Sequence, residues 1–159
     1  MSYDLFIFSK EAAPKTRVEF LKWYRVQTEW TTEHSYGDPA ITSTELNNWF
    51  LAMINIFPAM TGPYANDADY NDYQTDYSIG KDFIYAAFDR SVAEKAFTSM
   101  IELGEKYDVG FFDVSSANMD IFIPVDGKYI TIDNPYNNTS TIVKQQKDNQ
   151  WWKFWKLAN

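Results

Sequence analysis

The sequence predicts a single α+β domain over residues 1–159, with a mixed β-sheet of about five strands, three helices packed on it and an aromatic C-terminal segment. The first observation is that Phe83–Phe88 is a six-residue run without charge, which is typical of a strand covered on both faces. The second is an amphipathic stripe at helical spacing over residues 93–107. The third is the apolar run at 109–114, which returns as another strand. We expect the remaining segments to add to this unit.

The first strand and the first helix are predicted near the start of the chain. Tyr3–Phe8 is short, aromatic and β-branched, which favours a strand beside the central one. Thr16 and Glu19 have the spacing at which a hydroxyl and a carboxylate satisfy free backbone amides at a helix start. The pattern therefore predicts a helix from about residue 16 to about residue 30.

The same spacing of hydroxyl and carboxylate predicts two more helix starts. Thr42 and Glu45 precede an apolar stripe that continues to Pro58, and Ser91 and Glu94 precede the helix that follows the central strand. From these patterns we expect a core that contains Leu5, Ile7, Leu46, Phe50, Met53, Ile84, Ala86, Phe97 and Phe112.

A hairpin and an aromatic segment are predicted in the last third of the chain. Residues 119–124 and 128–132 are two strands joined across Asp126-Gly127, a strong signal for a two-residue turn. Pro124 has no backbone N–H, which favours an edge position for its strand. Residues 151–159 place several aromatic side chains on one helical face, and a strand is equally compatible with so short a run.

The longest stretch without apolar periodicity, residues 61–76, is predicted to be an exposed loop. Long loops in compact domains are commonly functional. Tyrosines supply large contact areas at interfaces, and the carboxylates beside them attract a cationic partner. We therefore expect this loop to bind a partner through Asp67, Asp69, Tyr70, Asp72, Tyr73 and Asp76.

Charge and composition favour a basic protein as the partner. The chain has a formal charge of −8, and because residues 142–159 carry four lysines and one aspartate, residues 1–141 carry −11. The negative charge of residues 1–141 repels the phosphate backbone of nucleic acid. No run approaches the ~18 apolar residues of a membrane span. The start of the chain lacks a signal-peptide pattern and cysteine is absent, so we expect a cytoplasmic protein. The oligomeric state is left open.

The sequence predicts no catalytic, cofactor or metal site. Its six glycines are scattered, it has no cysteine, and His34 is its one histidine. The first alternative is a small hydrolase or transferase at the ends of the two main strands, which meet if those strands run parallel. Its residues are Asp89, Arg90, Asp113 and Ser115. The second alternative is a regulatory module that docks through residues 151–157.

Three segments resemble a family of small acidic bacterial proteins of unknown function. They are the opening MSYDL, YSIG at residues 77–80, and VGFFDVS at residues 109–115, and the resemblance covers roughly residues 1–124. Some proteins of this size and charge are similar to immunity proteins of polymorphic or contact-dependent toxin systems, which neutralise a cognate toxin by binding it. The resemblance implies a non-enzymatic binding protein and transfers no catalytic residue to this chain.

Overall fold

The computed structural model describes residues 1–31, 35–66 and 69–132 as one α+β domain, which confirms the predicted fold class. The predicted aromatic segment at 151–159, His34 and Asp67 lie outside the described residues. The elements in the described part are β1 (Tyr3–Phe8), α1 (Arg17–Gln27), α2 (Thr44–Met53), β2 (Asp76–Ile79), β3 (Phe83–Phe88), α3 (Ala93–Lys106), β4 (Gly110–Phe112), β5 (Ile121–Val125) and β6 (Lys128–Thr131).

In the described part of the chain, the sheet has six strands in the order β2-β3-β1-β4-β5-β6, and every neighbouring pair is antiparallel. The prediction of a mixed sheet was wrong in this respect. The β3-α3-β4 unit does place two strands in the same direction, but β1 enters between them and pairs antiparallel with both. The parallel strands are therefore never hydrogen-bonded neighbours.

The sixth strand, β2, was not predicted. It has only four residues, and its alternation of exposed Asp76 and buried Tyr77 is too short to be distinguished from a loop. It forms a hairpin with β3 through the turn at Gly80, whose N–H donates to the Phe83 carbonyl at 2.9 Å. As a result β3 lies inside the sheet, as its uncharged sequence predicts.

Helices cover both faces of the sheet. Leu5 and Ile7 of β1 project towards α2 and α3, whereas Phe6 and Phe8 project towards α1 and contact Phe20 and its neighbours. This two-sided burial follows from the period of two in a strand. All nine predicted core residues are buried, which confirms that list.

The predicted helix starts are correct to within one or two residues. Thr16 is the N-cap of α1, and its hydroxyl accepts from the Glu19 N–H at 3.4 Å. For α2 the cap is Ser43, which accepts from the Leu46 N–H at 3.3 Å. Thr42 instead closes the preceding 3-10 turn by donating to the Pro39 carbonyl.

The predicted cap at Ser91 was wrong. A 3-10 turn, Arg90–Val92, precedes α3, and Asp89 caps this turn by accepting from the Ser91 N–H at 2.8 Å. The Ser91 hydroxyl donates to Asp72 in the acidic loop at 3.2 Å. The carboxylate two residues earlier therefore takes the capping role and leaves the serine hydroxyl for a long-range contact.

The predicted hairpin is confirmed as β5 and β6. Asp126 and Gly127 both have positive φ, 50° and 75°, as the favoured two-residue hairpin turn requires. Pro124 does not lie on an edge strand, because β5 is covered by β6 on one side and β4 on the other. Its missing N–H is tolerated because β4 pairs only with Ile121 and Phe122, so no acceptor stands opposite Pro124 on that side.

Both edge strands carry contacts that occupy their outward backbone groups. On β2, the Ile79 N–H donates to the Tyr36 carbonyl at 2.7 Å. On β6, the Tyr129 N–H donates to a carboxylate oxygen of Glu105 in α3 at 3.0 Å. Such contacts reduce the tendency of an edge strand to pair with another chain.

Candidate functional site

The ends of β3 and β4 meet at the start of β1, as the strand-end alternative requires. Both strands run antiparallel to β1, so both finish beside its first residues. Ser115, after β4, accepts from the Asp4 N–H at 3.0 Å and donates to the Asp4 carbonyl at 3.1 Å. Arg90, after β3, donates to the carbonyls of Met1 and Ser2 at 3.1 and 3.3 Å. The four residues of this alternative therefore lie around one segment.

The side chains of these residues are engaged with the backbone. Asp89 caps the turn at Ser91, and hydrogen bonds from Ser91 lower the pKa of its carboxyl group. Arg90 bonds to the two residues before β1, and Ser115 bonds to Asp4 within it. Asp113 accepts from the Ser115 N–H at 3.2 Å. Arg90 and Ser115 therefore fasten the N-terminal segment to the ends of β3 and β4, whereas Asp89 and Asp113 stabilise the turns that follow those strands.

Asp113 has an environment that is unusual for an acid. Its side chain is buried, and a second buried acid, Asp120, lies across the β4–β5 connection, where the Asp113 N–H donates to the Asp120 carbonyl at 3.2 Å. Burial raises the pKa of Asp113 to about 7; the Ser115 backbone bond acts in the opposite direction, and the Asp120 charge adds to the rise. Asp113 therefore titrates near neutral pH.

A second polar group near this edge was missed in the sequence. Asp4 is the one charged residue of β1, and its Oδ2 accepts from the Tyr85 hydroxyl at 2.9 Å. Its Oδ1 is buried and has no hydrogen-bond partner among the described residues. Burial raises the pKa of Tyr85 and also that of Tyr24. In both cases the nearby Asp4 carboxylate is the next largest cause of the rise. The sequence signal for this polar group was Asp4 itself, a single acid within an otherwise apolar strand pattern.

The predicted partner-binding residues are exposed wherever they are described, although Gln74 and Thr75, within the same predicted loop, are buried. Asp69, Asp72 and Asp76 face solvent, and the exposed fractions of Tyr70 and Tyr73 are 66% and 38%. Asp67, the other predicted residue, is outside the described part of the chain. We call the described set, Asp69, Tyr70, Asp72, Tyr73 and Asp76, the acidic loop.

The acidic loop is attached to the body by three contacts. The Tyr73 ring stacks on the ring of buried Phe57, with centroids 5.5 Å apart. The Nζ of Lys95 in α3 lies over the Tyr73 ring, 5.0 Å from its centroid. Asp72 accepts from the Ser91 hydroxyl at 3.2 Å. Asp69 and Tyr70 therefore precede a segment, Asp72-Tyr73, that is anchored on the body.

One further concave place in the described part lies beside the start of α2 and is small. A cleft of about 70 Å³ beside the start of α2 is lined by Ser9, Lys10, Glu11, Ser43, Glu45, Asp108 and Val109. It is well below the ~300 Å³ of a typical ligand pocket, and the Lys10–Asp108 ion pair at 2.6 Å occupies its rim. Within the described ranges no three His, Asp or Glu side chains are grouped to hold a metal ion.

The fold and its surface define an α+β protein with a two-sided helical cover and an exposed acidic loop rich in tyrosine. No protein-family model matches the chain, and neither a curated protein nor a solved structure is significantly similar to it. In the described part, no helix is both long and apolar enough to cross a membrane. The resemblance to the acidic bacterial family stays a prediction.

Proposed function

We propose that this chain is a non-enzymatic, cytoplasmic immunity protein that neutralises a cognate bacterial toxin by binding its basic toxin domain. The observation that carries the proposal is the acidic loop, where three exposed aspartates, Asp69, Asp72 and Asp76, alternate along the chain with two exposed tyrosines. A surface of this composition is suited to occupy a cationic active site that otherwise binds nucleic acid.

The anchoring of the acidic loop supports a binding role. Tyrosine buries a large area with little loss of conformational entropy, and a loop held in place before binding loses less still. Here the Tyr73–Phe57 stack and the Asp72–Ser91 hydrogen bond restrain the loop while Tyr70 remains 66% exposed. We infer that Tyr70 is the central contact and that the aspartates around it steer the approach.

The two alternatives have less support. Asp89, Arg90, Asp113 and Ser115 do lie at one edge, but each already bonds to backbone groups of the strands and turns there. A hydrolase or transferase at this edge would need these bonds to be replaced by bonds to a substrate. The regulatory module that docks through residues 151–157 concerns a segment outside the described residues.

The proposal is tested through the genes that adjoin this one. We expect a neighbouring gene for a large secreted protein with a variable C-terminal domain. Co-expression should protect cells from that C-terminal domain, and the two proteins should co-purify. A neighbourhood of metabolic genes, together with failure to protect against or bind any adjacent toxin domain, would contradict the proposal.

A further inference from the structure

Among the described residues, positive charge is concentrated on and just before α1. Of the ten basic residues in the described part, four lie within residues 15–25, beside the single acid Glu19, so this segment carries +3. The other described residues hold six basic and seventeen acidic side chains, a charge of −11. The surface is therefore strongly polarised, with one basic helix on an acidic body.

The outward side of α1 combines this charge with exposed apolar area. Val18, Lys22, Arg25 and Val26 are spaced so that they share one side of the helix. Val18 and Val26 are 65% and 58% exposed. Lys22 and Arg25 are exposed and form no ion pair with any described residue. We call these four residues the α1 stripe.

The opposite side of α1 packs on the sheet. Phe20 is buried, with its ring centroid 4.7 Å from that of Phe8, and Trp23 contacts Phe6 and Phe8. Arg17 donates to the carbonyls of Asn118 and Met119, both at 2.8 Å. The orientation of α1 is thereby fixed, and the stripe is held outward as a rigid surface.

The acidic loop of the same chain is complementary to the stripe in charge. We propose that the protein self-associates by docking the α1 stripe of one copy on the acidic loop of a second copy. Lys22 and Arg25 pair with Asp69 and Asp76, while Tyr70 packs on the exposed valines. Opposite charge and paired apolar area both favour this contact. The contact does not depend on the proposed function.

Other anionic occupants fit the stripe less well. Helices that lie on membranes present Trp, Phe or Leu on their apolar side, whereas the aromatic side chains of α1 face the sheet and only two valines face outward. A nucleic acid would be repelled by the charge of −11 on the rest of the described protein. The acidic loop of a second copy is a small surface that would contact only α1.

The test is sedimentation velocity of the full chain in low and moderate salt. Charge–charge contacts act over about 30 Å at 0.01 M salt and about 8 Å at 0.15 M, so we expect association at the lower ionic strength that weakens at least about tenfold at the higher one. K22E/R25E should be monomeric at both. The control K81E/K128E changes net charge equally at two exposed lysines outside α1 and should still associate, because it keeps both surfaces. Circular dichroism verifies that each variant is folded.

A charge exchange makes the test specific for the two surfaces. D69K/D76K should also be monomeric, because its loop now repels the stripe. Mixing it with K22E/R25E should restore a heterodimer, since the reversed loop meets the reversed stripe. A monomeric wild type at low salt, or association that persists in K22E/R25E, would overturn the proposal. So would a mixture that stays monomeric, or a monomeric wild type that binds phosphatidylcholine vesicles containing phosphatidylserine through the stripe.

Discussion

The buried acid Asp113 makes the stability of the protein depend on pH in a defined direction. Its pKa rises from an ordinary value of 3.8 to about 7 on folding, so the folded state prefers the protonated carboxyl group. The contribution of Asp113 to stability is therefore fully present below about pH 4 and is lost as the pH rises through 7. At about 1.4 kcal/mol per pKa unit, the loss amounts to about 4 kcal/mol when ionisation is complete.

The substitution D113N removes this ionisation and keeps the size and the acceptor oxygen of the side chain. Part of this loss of stability has already occurred at pH 5. The unfolding free energy of D113N relative to that of the wild type should therefore increase by about 2.5 kcal/mol from pH 5 to pH 8. Urea denaturation followed by tryptophan fluorescence at each pH measures this difference. The control D126N lies at the exposed hairpin turn and should follow the wild type. A D113N curve parallel to that of the wild type would refute the argument.

Three further substitutions test the packing. F97A truncates a fully buried ring that contacts Phe111 and should cost about 3–5 kcal/mol in denaturant melts; a loss under about 1 kcal/mol would show that Phe97 is not a core residue. Gly104→Ala would normally stabilise a helix by about 1 kcal/mol. Here a Cβ would meet the Tyr129 hydroxyl, which donates to the Val109 carbonyl at 2.7 Å, so we expect destabilisation, and a higher melting temperature would contradict this packing. S115A should lower the unfolding free energy by about 1 kcal/mol, because it leaves the half-buried Asp4 backbone without its side-chain partner, and an unchanged midpoint would count against that role.

The strands and helices with strong periodicity were predictable from the sequence. The uncharged run of β3 and the stripe of α3 require burial, and the structure buries them. Helix caps were less predictable, because Ser43 follows the predicted Thr42 and Asp89 precedes the predicted Ser91 by two residues, and nearby polar side chains compete for the capping role. Local spacing alone does not decide such a competition.

The order of the strands in the sheet was not predictable from the sequence. Insertion of β1 between β3 and β4 depends on contacts such as Tyr3 with Phe88 and Phe6 with Phe112, which lie far apart along the chain. The same insertion turned Ser115 into a partner of the Asp4 backbone, which no local pattern indicates. The exposure of the acidic loop was predictable, whereas its attachment through Phe57 and Lys95 was not.

The most direct measurement for the proposed binding role is the association rate with the toxin domain encoded by the neighbouring gene. We expect fast association at low salt and a steep decrease as salt rises, because the acidic loop steers the encounter. The variant D67N/D69N/D72N/D76N should associate more than about tenfold more slowly. The control E11Q/E29Q/E102Q/D126N removes the same charge at exposed positions outside the loop and should keep most of the rate. An unchanged rate in the loop variant would contradict the role of this loop.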